Sequence, residues 1–146
     1  MGAAVQLLDA VVDKLNESSF GTITFVRRLL PEIVRTDMTP TGVISLQTKE
    51  SFEHSRNHEN VEYTVILCLH YPTTDTDDLE TALDYVEDIQ DWLGLKANTH
   101  LDTASGEMKL HAPILLEQPF DATQAKEANV FFSVLTLKYL YYKSRS

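Results

Sequence analysis

Two histidines four residues apart, in His54-Ser-Arg-Asn-His58, are the first residues in this chain whose types could do chemistry. Arg56 lies between them and Glu53 and Glu59 flank them. On a helix that spacing would put both imidazoles on one face, where a third ligand could complete a zinc site. The context opposes a helix. The segment has no apolar periodicity, carries Asn57 and Asn60 as turn formers, and joins two strand-like runs. It reads as a solvated polar connection, with metal binding as the sharper but less supported alternative.

Other candidate groups lead no further. Eight acids (Asp75, Asp77, Asp78, Glu80, Asp84, Glu87, Asp88 and Asp91) fall within seventeen residues that hold no base. A calcium loop needs alternating oxygen ligands, a glycine at the sharp turn and a terminal glutamate, and this run has no such glycine. It reads as the solvated face of a helix. The five glycines, at 2, 21, 42, 94 and 106, form no phosphate-cradling cluster. Cys68, the single cysteine, excludes an intramolecular disulfide and sits in a strand pattern as a small buried hydrophobe rather than a nucleophile. His70 reads as a partly buried strand histidine, and His100 and His111 have no motif around them. No catalytic residue and no cofactor is assigned.

The elements that would carry these residues are legible in part. Val5, Leu8, Val12 and Leu15 repeat at helical spacing over 3–15. Thr22 to Leu30 is β-rich, and Thr39-Pro-Thr-Gly42 marks a turn before a short strand, Val43 to Thr48. Residues 61–71 alternate as a half-buried strand closed by Pro72. Between these strands Lys49 to Asn60 reads as a long polar connection, expected to be mobile in a lone subunit and ordered against a neighbour. A second helix spans about 77–93, capped by Thr76 or Asp77, with Leu79, Ala82, Leu83, Val86, Ile89 and Leu93 as its stripe. Tyr85 and Trp92 flank that stripe, and Gly94 is placed to end the helix in the left-handed conformation. After a loop and a Ser105-Gly106 turn, Glu107 to Leu116 gives a strand that Pro113 breaks.

The last run, Asn129 to Lys143, is apolar on both faces of a strand. Odd positions give Phe131, Leu135, Leu137, Tyr139 and Tyr141; even ones give Val130, Phe132, Val134, Leu140 and Tyr142. Side chains alternate across a strand, so one face can rest on the chain's own helices while the other needs cover, which a second copy could supply. Phe131, Phe132, Tyr139, Tyr141, His54, Arg56 and His58 are therefore the candidate subunit-contact residues. Asp77, Asp78, Asp84, Glu87, Asp88 and Asp91 are the candidate acidic surface.

The expected fold is one α+β domain over 1–146, an antiparallel sheet with two helices on one face, in the order α-β-β-β-α-β-β, with 144–146 as a frayed tail. A net charge of −10, from 22 acids and 12 bases, opposes tight binding of a nucleic acid backbone. No run is long enough for a membrane span, and the start lacks a basic n-region. Gln6 stands where an N-myristoylation motif wants a small hydroxyl residue. A soluble protein made in a reducing compartment is the expectation.

The amphipathic N-terminal helix, the meander ending in Val61-Glu-Tyr-Thr-Val-Ile-Leu-Cys-Leu-His-Tyr71, the acidic helix over Ala82 to Gly94 and the final Phe132-Ser-Val-Leu-Thr-Leu-Lys-Tyr139 together resemble the tail terminator (tail completion) proteins of long-tailed bacteriophages. The likeness spans Ala3 to Lys143 and lies in element order and apolar pattern. It implies a structural virion protein without catalysis, a homo-oligomeric ring, usually a hexamer, that caps the tail tube and joins it to head-completion or connector proteins. DNA would pass through that ring without specific binding, and the protein would reside in the virion neck, with the host cytoplasm as its place of assembly. Other neck or tail-tube-like subunits share such a fold. The rivals are a monomeric α+β binding module and a small metal-binding protein or enzyme using the His54/His58 region.

Elemental analysis of chelator-free protein is expected to find no stoichiometric zinc, manganese or iron, because no three ligands share a workable spacing on one element. A stoichiometric metal that disappears on His54→Ala would contradict this.

Overall fold

Two long antiparallel strands form the spine of the molecule, seen in a computed structural model. It describes residues 2–18, 20, 23–28, 40–53, 58–72, 76–116 and 130–144, with 53, 76–78, 130, 132, 143 and 144 described for the backbone only. In chain order the elements are α1 (Ala3–Asn16), β1 (Thr24–Arg27), β2 (Thr41–Glu53), β3 (His58–Pro72), α2 (Thr76–Gly94), a 3-10 turn (Lys96–Asn98), β4 (His100–Thr103), β5 (Gly106–Leu110) and β6 (Val130–Ser144). The fold is α+β, with a curled six-stranded sheet ordered β1-β2-β3-β6-β5-β4. All pairs are antiparallel except β1 with β2.

The β3–β6 pairing runs from His58 opposite Ser144 to Pro72 opposite Val130. Strand alternation then puts Tyr63, Val65, Leu67 and Leu69 on the same face as Phe131, Leu135, Leu137 and Tyr139. All eight are buried, in one core with Leu7, Leu8, Val11 and Leu15 of α1 and Ala82, Val86, Ile89 and Leu93 of α2. Both helices therefore cover the same face. The buried arc of α1 is turned relative to the expected stripe: Leu7 and Val11 are fully buried, whereas Val5 and Val12 are only half-buried. The helix meets β1, β2 and β4 together, so its contact face is broader than one stripe.

Four expectations are corrected. The polar run 49–60 is not a long loop: Lys49 to Glu53 pair with Glu59 to Tyr63 as a continuation of the β2–β3 hairpin. Its backbone hydrogen bonds hold it without an apolar face, so the alternation that marks a half-buried strand is missing. Only 54–57, which carry His54 and Arg56, lie outside the described residues. His100 to Thr103, read as loop, is β4, joined to β5 through Ala104-Ser105. The turn is closed by Gly106 at φ 138°, a conformation that L side chains rarely adopt. The order is therefore α-β-β-β-α-β-β-β. Finally, Gly94 is not left-handed. The helix end is closed by Asn98, whose side-chain amide donates to the Trp92 carbonyl at 2.8 Å. The capping groups expected at Thr76 and Asp77 have side chains outside the description.

Gly42 has a packing reason. It lies opposite Phe25 in the parallel β1–β2 pair, and a Cβ there would meet that ring at 2.5 Å. Strand 107–116 breaks as expected near Pro113: β5 ends at Leu110, and Leu115 then makes an isolated bridge to Thr136.

Tyr139 is fully buried, and its hydroxyl has no hydrogen-bond partner among the described residues. Burial pushes its pKa far above the ordinary tyrosine value of 10.0. Tyr63 is shifted the same way, by burial first and then by Tyr141 and Glu59. The folded state thus prefers the neutral phenols, so stability is full below the ordinary value and falls as pH rises past it. Tyr139→Phe should leave stability at neutral pH unchanged or raise it by about 1 kcal/mol, since an orphaned buried hydroxyl is unfavourable. It should also lose less stability than wild type above that pH in urea titrations. A clear loss at neutral pH would mean that the hydroxyl is satisfied.

Candidate functional site

The sheet divides into a covered centre and an open end. On the face away from the helices, Val43, Ser45, Thr64, Cys68 and His70 are buried. Toward the hairpin end this changes at an irregularity in register between Leu46 and Thr48. From Gln47 to Phe52 every β2 residue is exposed, on both faces. Bulges bend and twist a strand locally, so the irregularity falls where β2 leaves the core. We call 47–53, 58–60 and 142–144 the arm.

The arm carries a coherent outward surface. Phe52 lies opposite Asn60, and Asn60 opposite Tyr142, so the three share one row and one face. Phe52 is 50% and Tyr142 52% exposed, two of the four large apolar side chains that stand out among the described residues. His58, one pleat further on the same face, stacks on Tyr142 with ring centroids 4.8 Å apart and planes 18° apart. Below them Leu140, Thr136 and Val134 continue the face, all half-buried. β1 pairs only with Thr41 to Ile44. Beyond that point the outer edge of β2 meets no other strand among the described residues. An open edge is a template for pairing with another chain.

The contact residues expected from sequence separate accordingly. Phe131 and Tyr139 are fully buried in the core and offer no surface to another chain. Tyr141 is half-buried, and its hydroxyl donates to the Ser105 carbonyl at 2.8 Å. His58 lies on the arm. The side chain of Phe132, and His54 and Arg56 altogether, are outside the described residues. Phe52 was missed because a lone aromatic in a polar run gives no periodic signal.

Asp84, Glu87, Asp88 and Asp91 project from the exposed face of α2, as expected. Asp77 and Asp78 belong to the same helix by backbone. Tyr85 and Trp92, both partly buried against the core, widen the buried face of α2. Tyr85 packs near Tyr71 with centroids 5.9 Å apart, and the Trp92 indole N–H donates to the Lys14 carbonyl at 3.1 Å.

The remaining chemically capable groups are tied up singly. His111 Nε2 lies 2.6 Å from Glu62 Oε2, and His100 Nδ1 lies 3.0 Å from Glu107 Oε1. These are separate His–carboxylate pairs, with no third member among the described residues. Burial pushes the Cys68 thiol up, which disfavours the nucleophilic thiolate. Among the described residues no group of three or more His, Cys, Asp or Glu could hold a metal ion. No described helix is long and apolar enough to cross a membrane. No family model matches the chain, and no curated protein is significantly similar to it.

Proposed function

We propose that this chain is a structural subunit that assembles through its arm into a closed ring, serving as a tail terminator that caps a bacteriophage tail tube and joins it to the head-completion proteins. The observation that carries the reading is the arm: a strand exposed on both faces, with an open edge and two half-exposed aromatics in one row. An arm at one end of a sheet meeting a different surface on the next copy is a heterologous contact, and such contacts close into rings when the rotation allows. The element order α-β-β-β-α-β-β-β keeps the sequence on which the phage resemblance rests, with one strand added.

Magnitudes limit what the aromatics do alone. Fully burying a large side chain contributes roughly 1.5–3 kcal/mol, and Phe52 and Tyr142 are already half covered. Association costs on the order of 4–15 kcal/mol. The half-buried Val134 and Leu140 and the hydrogen bonds of the open β2 edge must add to them. Charge opposes the ring, because each copy brings −10. The same charge suits a channel through which DNA slides, since phosphates are repelled by exposed carboxylates.

Native mass measurement should find a hexamer that is favoured by added salt, which screens repulsion between exposed charges. Phe52→Glu should leave a folded monomer, whereas Phe131→Glu should unfold the chain because it places a charge in the core. A wild type that stays monomeric at high concentration and in salt would sink the ring. So would a Phe52→Glu variant that assembles as wild type does.

A further inference from the structure

Between the end of α1 and the second half of α2 lies a hollow of about 330 Å³ lined by the rings of Phe20, Tyr85 and Trp92 together with Asp88, Asp91 and Leu95. We propose that it receives an arginine side chain from a basic segment of a different protein. The proposal shares no residue with the arm surface and holds whether or not the chain forms rings.

The three rings are already held in place. Trp92 is fixed by its hydrogen bond to the Lys14 carbonyl, Tyr85 by its contact with Tyr71, and Phe20 edge-on to Phe25 at 6.3 Å and 68°. A preformed aromatic wall avoids the ordering cost of assembling one on binding. Aromatic faces attract cations. Neither Asp88 nor Asp91 has an ion-pair partner among the described residues, and both are exposed. Lys14, whose carbonyl holds the indole, is itself paired to Glu17 at 3.2 Å.

Rings and carboxylates together select a guanidinium. It is planar, stacks on aromatic faces and presents paired donors to a carboxylate, whereas an ammonium is a compact, strongly hydrated point charge. Leu95, 51% exposed, gives the apolar stem of the side chain a surface to lie on. The charge of the chain decides between sources. Net charge opposes contact between copies without forbidding it, whereas a basic segment of another protein is drawn to the α2 face, where Asp84 and Glu87 extend the negative surface.

Trp92 is the single tryptophan, so its emission reads occupancy directly. The full chain should be titrated with the peptide acetyl-Leu-Arg-Leu-amide and with the same peptide carrying citrulline, which keeps the shape and loses the charge. We expect a saturable change with the arginine peptide and binding weaker by at least roughly tenfold with citrulline. In the Asp88→Asn/Asp91→Asn variant, checked for an unchanged circular dichroism spectrum, the saturable change should vanish. The peptide comparison needs no variant and stands even if that one misfolds. No saturable change in wild type, equal binding of the citrulline peptide, or undiminished binding by the folded variant would overturn the proposal. A wild type that self-associates where the folded variant does not would also overturn it, by making a second copy the occupant.

Discussion

The antiparallel pairing of β3 with β6 is the constraint on which the rest of the molecule depends. Each strand is 15 residues long, and they pair over their whole length. Register therefore decides which side chains face the helices, and a slip of one residue would turn every one of them over. Slippage is opposed by the odd positions of both strands, which fill the core with Tyr63, Val65, Leu67 and Leu69 on one strand and Phe131, Leu135, Leu137 and Tyr139 on the other. β2 and β5 then take their places on either side of this pair, and α1 and α2 close over one face.

The same pairing creates the arm. Strands this long outrun the cover that two helices provide, so β2 and the ends of β3 and β6 continue past the core, held by backbone hydrogen bonds and local side-chain contacts such as the His58–Tyr142 stack. Loss of burial on both faces beyond Leu46, an open edge and the Phe52–Tyr142 row all follow from that excess length. Monomeric proteins commonly blunt such edges with charge. Here Lys49 and Glu50 do so in part, Lys49 lying 5.9 Å from the Tyr63 ring centroid, yet Phe52 is left standing beyond them. An aromatic on an exposed strand, in one row with a second on β6 across Asn60, is the feature that a subunit contact would explain.

How far the sequence revealed this depends on whether burial imposes a period. α2 was legible because one face is buried at a spacing of 3.6, and β3 because its helix-facing positions are large and apolar at a spacing of 2, although its centre is buried on both faces. β4, with Leu101 as its single buried residue, was too short to show any period. Residues 49–52 give no strand signal because both faces are wet, and nothing in a polar run distinguishes a solvated strand from a solvated connection. β6 was legible as a strand, but its inward face was not, since Phe131 and Phe132 are equivalent in pattern and only the register with β3 orders them. The aromatics at 85 and 92 were visible flanking a helix stripe; the hollow they form with Phe20 needed the approach of α1, which no local pattern encodes.

Backbone hydrogen exchange of β2, followed by mass spectrometry in dilute protein and at high concentration in salt, tests most directly whether the arm is an assembly surface. The account predicts that amides of 47–53 exchange fast when dilute and become protected on assembly, because their open edge and exposed faces gain a neighbour, while 61–71 stay protected in both. Equal exchange of 47–53 in the two conditions, with native mass showing that assembly has occurred, would place the contact elsewhere and contradict it.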